Sequence, residues 1–166
     1  DYTFWSHVAY NYSRESIPGA ACSLTARHMQ SGSVCATVAL RKGAWPFLVA
    51  LVADWAIALR KDSITLRGDP EPSLLRLSEG TREAIVNKGG KCKVEPGAIG
   101  SHQSLGGAEV THDILGGFCR TLAGMVEHFT GLKIEPRSRL FVWLLRHAAA
   151  LLTTRHIQKH TLTAYG

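Results

Sequence analysis

Three acidic residues stand where they could share a catalytic metal site. Asp1 opens the strand-like run DYTFW, Asp69 follows the strand-like run SITLRG, and Glu109 ends the small-residue stretch GSHQSLGGAE. The apolar pattern after Glu109 predicts a long helix, so this carboxylate is expected in the first helical turn, delivered by a preceding turn. Acids at the ends of separate elements can converge in a fold although they are far apart in sequence. Such a cluster is what divalent-metal catalysis of phosphoryl transfer needs.

The residue types indicate which metal would bind. Magnesium prefers hard oxygen ligands and keeps several of its waters, so carboxylates suit it better than His or Cys. Two such ions about 4 Å apart can activate an attacking oxygen and stabilise the leaving oxygen of an in-line displacement. A simpler interpretation exists for each acid alone, since an Asp at a strand end often caps a turn and a Glu in a first helical turn is favoured by the helix dipole. Only the set of three predicts a site for two Mg²⁺ or Mn²⁺ ions.

The elements that must position these acids follow from the apolar pattern. Strands are predicted over 1–5, 20–28, 34–40, 63–66 and 92–95. Helices are predicted over 45–59, 73–87 and 139–154, and a further helix carries Glu109 after a loop over 96–106. Hairpins in the first half and helical crossovers in the second predict an α/β fold with a mixed five-stranded sheet flanked by helices.

Two of the helices show an apolar face at helical spacing. In the first helix that face is formed by Phe47, Leu51, Trp55 and Leu59. In the helix that carries Glu109, the predicted buried stripe is Leu115, Phe118, Leu122, Val126 and Phe129. These faces are expected to pack against the sheet.

Composition describes one basic globular domain. A chain of 166 residues can bury a sizeable core, and its net charge of +6 permits nucleic-acid binding without proving it. Its four cysteines show no CxxC spacing, which indicates free thiols in a reducing compartment and no zinc site. The longest apolar segment, 44–59, is broken by Asp54 and is too short to span a bilayer. We therefore expect an intracellular protein of the nucleus or cytoplasm, with no membrane partner.

Four segments together carry a family resemblance. DYTF, GDPEP, SHQSLGGAE and WLLRHAAALLTTR occur in that order, and the chain closes on TAY. They resemble the catalytic core of retroviral and LTR-retrotransposon integrases, which has an RNase H-like fold. The resemblance covers nearly all of residues 1–166 and is most specific in SHQS-x-G-x-x-E and in the WLLRHAA helix. Because the chain starts on a residue that reads as mid-strand, it is expected to be a fragment truncated at its N-terminal strand.

The resemblance implies a function. Asp1, Asp69 and Glu109 would hold two divalent ions, and the stretch between Asp69 and Glu109 is somewhat longer than the usual retroviral spacing. Water would attack during 3′-end processing, and the new 3′-hydroxyl would attack target DNA during strand transfer. The partners would be the element's DNA ends, target DNA and further copies of the chain. The family also implies an N-terminal zinc-binding domain and a C-terminal DNA-binding region, neither of which lies in these residues.

Other polar residues allow two interpretations each. His102 and Gln103 could contact DNA phosphate or cap a helix. The basic cluster of Lys88, Lys91 and Lys93 could face DNA or form a solvated strand edge. Two further sets are expected to be structural: His147 as a packing residue, and His156 with His160 as a surface pair.

Several positions depart from the family pattern. Leu105 stands where the motif usually has Asn, Val110 where Arg often follows the Glu, and Pro70 where a polar residue follows the second Asp. Helix-weakening glycines at 116, 117 and 124 also follow Glu109. Two alternatives therefore stay open: a decayed nucleic-acid-binding remnant of the same fold, or an RNase H-type nuclease. A nuclease usually carries a fourth acid, for which Asp113 is the nearby candidate.

Overall fold

The computed structural model describes residues 2–8, 22–39, 42–60, 62–68, 70–96, 102–135 and 138–155. For residues 2–8, 96 and 102–109 it describes the backbone alone. The strands are β1 (Tyr2–Val8), β2 (Cys22–His28), β3 (Val34–Ala39), β4 (Ile64–Gly68) and β5 (Cys92–Pro96). The helices are α1 (Pro46–Ala58), α2 (Pro72–Asn87), α3 (His102–Thr130) and α4 (Arg139–Arg155). Among these residues no helix is long and apolar enough to cross a membrane.

The strands pair in the order β3-β2-β1-β4-β5. Strands β1, β2 and β3 are antiparallel neighbours, whereas β4 runs parallel to both β1 and β5. The antiparallel part is a hairpin whose turn places Gly32 at φ 69°, where its N–H donates to the His28 carbonyl at 2.7 Å. The parallel part requires helical crossovers, which α1 and α2 supply. The predicted α/β class is confirmed.

Each face of the sheet packs against its own pair of helices. Side chains alternate along the strands, so Leu24 and Leu66 pack with α1 and α2, in a cluster that includes Val52 and Ile85. On the other face β3 packs against α3 and α4. This second cluster contains Val34, Ala36, Leu115, Cys119, Leu144, Leu145 and Ala148.

The predicted face of α1 is only partly buried, with Trp55 and Leu59 packed half-buried against the core cluster. Phe47 is 55% exposed, whereas Leu48, Val52 and Ala56 are buried. The helix sequence PFLVALVADWAIA is apolar on most sides, so a spacing of four residues cannot select the side that meets the sheet.

The start of α3 and two residues of its predicted buried stripe also differ from the predictions. The helix begins at His102, so Glu109 lies two turns inside it and not in its first turn. Residues 102–106 of the expected loop are helical, because one continuous helix can extend through glycines when its downstream part is well packed. Within the predicted buried stripe, Leu115 is buried and Leu122 and Val126 pack half-buried against the same cluster. Phe118 and Phe129, in contrast, are 40% and 80% exposed. Cys119, one residue further round, takes the core position instead.

Candidate functional site

Of the three elements expected to carry the acids, β1 contacts both of the others. Strands β1 and β4 are adjacent and parallel, and β4 ends at Gly68, the residue before Asp69. Helix α3, whose backbone includes Glu109, contacts both β1 and β2. Asp1 and Asp69 lie outside the described residues, as does the side chain of Glu109. The convergence of the three carboxylates therefore stays a prediction.

The register of β1 on β4 bears on that prediction. Tyr2, which follows Asp1, pairs with Leu66, while Gly68, which precedes Asp69, pairs with Phe4. Tyr2 and Gly68 are thus two residue pairs apart, a stagger of about 7 Å along the strands. Asp1 precedes Tyr2 and Asp69 follows Gly68, so a site shared by the two acids must span more than this stagger.

A polar seam fixes α3 to β2 immediately after Glu109. Arg27 donates from Nη1 to Thr111 Oγ1 at 2.9 Å, and Thr25 Oγ1 lies 3.5 Å from His112 Nδ1. Thr111 and His112 are buried, and burial lowers the pKa of the Arg27 guanidinium. The seam consists of these four residues, and it holds the turn of α3 that follows Glu109 against the sheet.

Sequence analysis did not identify this seam. Thr25 and Arg27 are two residues apart on β2, so they share one face of the sheet, opposite Leu24 and Ala26. Polar residues on a half-buried strand were the available signal. Their partners lie more than eighty positions away along the chain, and no local pattern connects them.

A second feature lies at the start of α2, the helix that follows β4 in the chain. A cavity of about 750 Å³ opens between the N-termini of α1 and α2 and is lined by Lys42, Trp45, Glu71 and Arg76 among others. Glu71 accepts hydrogen bonds from Lys42 Nζ at 2.8 Å and Ser73 Oγ at 2.5 Å. These hydrogen bonds, that of Lys42 first, hold the pKa of Glu71 below its usual value.

The basic character of this cavity follows from its lining. Glu71 balances Lys42, so Arg76 adds a positive charge beside two helix N-termini. The cavity begins two residues after Asp69 in sequence, and sequence analysis did not single it out.

The lysine cluster is not gathered at the end of β4. Lys88 forms an ion pair with Asp54 of α1. Lys91 and Lys93 are exposed at the start of β5, where the Lys91 carbonyl accepts a hydrogen bond from Ile64 N. Because β4 and β5 are parallel, this is the end of the sheet opposite Gly68. A role for the cluster in DNA binding stays a prediction.

The structure describes only some of the histidines singled out in the sequence, together with Asp113, the candidate fourth acid. His102 and Gln103 open α3, and their side chains lie outside the described residues, as do His156 and His160 entirely. His147 is half-buried and stacks on Trp143, with ring centroids 4.8 Å apart and an interplanar angle of 9°, as expected of a packing residue. Asp113 is exposed one turn after Glu109.

Side chains of metal-binding types occur throughout the described residues. No group of three His, Cys, Asp or Glu side chains there could hold an ion. The four cysteines are free, and burial raises the pKa of Cys35 to about 12 and that of Cys92 to about 11. The side chains of Asp1, Asp69 and Glu109 lie outside the described part of the chain, so a metal site at these acids stays a prediction.

Comparison with known proteins identifies the fold. No protein-family model and no curated protein matches the sequence. Among solved structures, the magnesium complex of the HTLV-2 integrase catalytic core domain, trimeric form, matches with a TM-score of 0.64 at 13% identity. That match covers 99% of this chain and 92% of that one. The BIV integrase catalytic core domain matches with a TM-score of 0.63 at 15% identity, covering 99% and 90%.

A larger assembly contains the same fold. A chain in the simian T-cell lymphotropic virus intasome, bound to the PP2A regulatory subunit B56 gamma, matches with a TM-score of 0.67 at 14% identity. The match covers 98% of this chain and 52% of that one, so this chain spans about half of that protein. The chain therefore has the fold of retroviral integrase catalytic cores, as its motifs indicated.

Proposed function

We propose that the chain is an integrase-type catalytic core, which joins DNA by divalent-metal-dependent phosphoryl transfer. The observation that carries the proposal is the fold match with integrase cores over 98–99% of the chain. Asp1, Asp69 and Glu109 occur on or beside β1, β4 and α3, which neighbour each other in this fold. We extend the proposal to residues 1–166 as one RNase H-like domain with a five-stranded mixed sheet.

The donor set fits magnesium or manganese. Three carboxylates supply hard oxygen ligands, and no thiol or imidazole is needed. Asp1, Asp69 and Glu109 would hold two ions, which when bound supply charge stabilisation at the attacking and leaving oxygens. One neighbouring structure is described as a complex with magnesium, which supports this assignment.

The chain's own residues would position the reaction. The polar seam between β2 and α3 fixes the helix beside Glu109, so this carboxylate would be held on a rigid support. The basic cavity at Lys42 and Arg76 is lined by Glu71, which follows Asp69 by two residues in sequence, and would receive a DNA phosphate. The proposed partners are DNA ends and target DNA, in the nucleus or cytoplasm, with the chain acting as a homo-oligomer.

A matched pair of substitutions on α3 tests the catalytic proposal. Glu109→Gln keeps the side-chain shape and removes the charge that holds the metal, so Mn²⁺-dependent cleavage and joining of a labelled DNA duplex should fall by at least about a hundredfold. Asp113→Asn, an exposed acid one turn later, is the control and should retain activity. Equal activity of the Glu109→Gln variant and the unaltered protein would show that Glu109 is not a ligand.

Metal binding gives a second readout that does not depend on turnover. Mn²⁺ should raise the Tm of the protein, because a ligand that binds only the folded state stabilises it. The shift should be lost in Glu109→Gln and kept in Asp113→Asn. A shift that survives Glu109→Gln places the metal elsewhere.

The two alternatives give different results in the same assays. A decayed DNA-binding remnant binds DNA equally with and without Mn²⁺ and joins nothing. An RNase H-type nuclease cleaves the RNA strand of an RNA–DNA hybrid and loses activity in Asp113→Asn, because that acid would then belong to its site. Joining of duplex DNA that tolerates Asp113→Asn favours the integrase-type core over both.

DNA binding itself should be mainly electrostatic. The chain carries a net charge of +6, and no described element resembles a base-reading helix. Protein contacts to DNA phosphates release counterions, so the affinity for DNA should fall by about tenfold or more when the salt concentration rises from 50 to 200 mM. Affinity that does not change with salt would contradict a phosphate-contacting surface.

A further inference from the structure

An acidic side chain of the chain itself occupies part of the cavity between the N-termini of α1 and α2. Glu71, Lys42 and Ser73 all line this cavity. Oε2 of Glu71 accepts a hydrogen bond from Lys42 Nζ at 2.8 Å, and Oε1 accepts one from Ser73 Oγ at 2.5 Å. An ammonium and a hydroxyl are also donors that bind phosphate oxygens in proteins. The carboxylate therefore stands where an anionic ligand would bind.

The cavity can bind more negative charge than Glu71 supplies. Arg76 adds a second cation to its lining. Both helices begin with Pro at the first helical position, and no side chain in the described part of the chain caps the first turn of either. Helix N-termini carry partial positive charge and offer backbone N–H groups to anions. The volume of about 750 Å³ is also large enough for a phosphate group with its neighbouring sugars.

The turn that presents Lys42 is built around a glycine. Gly43 has a φ of 140°, which other residues rarely adopt, and its carbonyl accepts a hydrogen bond from Trp45 N at 3.0 Å. An added Cβ would come no closer than 3.9 Å to Trp45 Nε1, so conformation and not space requires glycine here. The turn leads directly into α1, and it holds Lys42 and the start of that helix on the same rim of the cavity.

The contact between Glu71 and Lys42 is one that another anion can replace. The two side chains are 36% and 34% exposed, so water and salt screen their charges. Ion pairs in such settings contribute little to stability, and their exchange leaves the core intact. A free anion has no further contact with the protein, whereas a phosphate of bound DNA is delivered at a high effective concentration. Bound DNA therefore competes with the carboxylate far better than a single anion does.

We propose that Lys42, Ser73 and Arg76 form a phosphate subsite that Glu71 occupies in the free protein, and that a phosphate of duplex DNA binds there by displacing the Glu71 carboxylate. The choice of DNA as the polyanion rests on the proposed function. The carboxylate excludes inorganic phosphate and mononucleotides, and DNA is admitted because its other phosphates hold it in place. Glu71 is thus a specificity-determining residue, which selects a polyanion over a single anion.

Removing the charge of Glu71 tests the displacement. The dissociation constant of a labelled DNA duplex would be measured by fluorescence anisotropy at constant salt and without divalent metal. Glu71→Gln should lower this constant by at least about fivefold, because the phosphate no longer meets a competing negative charge. Glu79→Gln is the matched control, since it removes the same charge from the same helix and from a carboxylate that is likewise paired, with Arg82. It should change the constant by less than about twofold, which separates a local exchange from a change in net charge.

A double variant identifies the donor that the carboxylate blocks. Lys42→Gln combined with Glu71→Gln should lose most of the gain in DNA affinity, because the two side chains act as one unit. Arg82→Gln combined with Glu71→Gln removes a cation of α2 that pairs with Glu79 instead, and it should keep most of the gain.

Inorganic phosphate tests the subsite without DNA. At constant ionic strength, phosphate should raise the Tm of Glu71→Gln more than that of the unaltered protein or of Glu79→Gln, because a ligand that binds the folded state stabilises it. The rise should disappear when Lys42→Gln is added. This measurement does not depend on DNA binding, so it decides on the subsite even if the proposed function fails.

Each other result overturns the proposal. Equal DNA affinities of Glu71→Gln and Glu79→Gln would show that Glu71 blocks no subsite. A gain that survives Lys42→Gln, or a Tm rise with phosphate that is equal in all variants, places the phosphate elsewhere. If no variant binds DNA, the proposed function is wrong and the phosphate titration alone decides. Because Glu71 directly precedes α2, the Tm of each variant is measured first, and Glu71→Ala replaces Glu71→Gln if the latter unfolds.

Discussion

Thr153 connects the end of α4 to the edge strand of the sheet. Its Oγ1 accepts a hydrogen bond from Val34 N at 2.9 Å and lies 2.9 Å from the Ala149 carbonyl, to which it donates. Strand β3 is at the sheet edge, and both Thr153 and Val34 are buried. The Val34 N–H therefore depends on this side chain instead of water. We predict that Thr153→Val, which keeps the shape and removes the hydroxyl, destabilises the fold.

The size of the effect follows from what is left unpaired. A buried N–H without an acceptor costs about 1–3 kcal/mol, whereas the hydroxyl's own bond to a helix carbonyl contributes little. We therefore expect a loss of about 2 kcal/mol in the free energy of unfolding. For a domain of this size, that corresponds to a fall in Tm of about 4–8 °C.

A neighbouring threonine supplies the matched control. Thr154 makes the same helical bond, to the Ala150 carbonyl at 2.8 Å, but it is exposed and contacts no strand in the part of the chain described. Thr154→Val should change the unfolding free energy by less than about 0.5 kcal/mol. Urea denaturation measures both, and the slope with denaturant should stay constant. Equal values for the two variants would refute the argument that Thr153 satisfies the edge strand.

Two further predictions follow from close packing and from thiol burial. Gly90→Ala should lower the free energy of unfolding by about 1–3 kcal/mol, because the new Cβ would lie 2.7 Å from Ile85 Cγ2 and 3.2 Å from the Ile85 carbonyl oxygen. An unchanged Tm in thermal unfolding would show that Ile85 moves aside and would contradict this prediction. Burial raises the pKa of Cys35 to about 12, so the unfolded chain loses this proton at lower pH than the folded one, and stability should fall as pH rises from about 9 to 12. Cys35→Ser should flatten that slope in urea titrations at several pH values, and an unchanged slope would assign the effect to other groups.

The elements themselves were largely predictable. Alternation of apolar and small polar residues predicted strands at 20–28 and 34–40, and the structure has Cys22–His28 and Val34–Ala39. Helix α2 was predicted from 73 to 87 and runs Pro72–Asn87, because Pro fits a first turn and paired glycines follow its end. These signals are local, so one sequence is enough to read them.

The buried faces of the helices and the residues at which helices begin were harder to predict from the sequence. Phe129 belongs to a regular apolar spacing in α3, yet it is largely exposed, because α4 and the sheet meet only one side of that helix. The Leu-Gly-Gly stretch at 105–107 suggested a loop, yet α3 begins at His102, because packing can outweigh the cost of glycine. Such outcomes depend on tertiary contacts that a linear pattern does not contain.

In the candidate site, too, the local features could be predicted from the sequence and the tertiary contacts could not. Sequence placed Asp1, Asp69 and Glu109 beside elements that do neighbour each other, since their order matches a family whose fold the chain shares. It could not give the stagger of β1 on β4, which is set by the pairing of Tyr2 with Leu66. It also could not give the partners of Arg27 and Thr25, which lie on α3.

Helix α3 is built differently along its length. After Glu109, buried Thr111 and His112 attach it to β2 through polar contacts. Further along, its outward side carries glycines and exposed apolar side chains that no described residue covers. A rigid attachment at one end suits a residue that must be positioned for chemistry, and an exposed stripe at the other suits association. Gly124 lies about four helical turns after Glu109 on the same helix, and a Cβ there would meet nothing within 4 Å. On the proposed function, Gly124→Ala should therefore leave the Mn²⁺-induced rise in Tm unchanged, and a lost rise would show that the two parts of the helix are coupled.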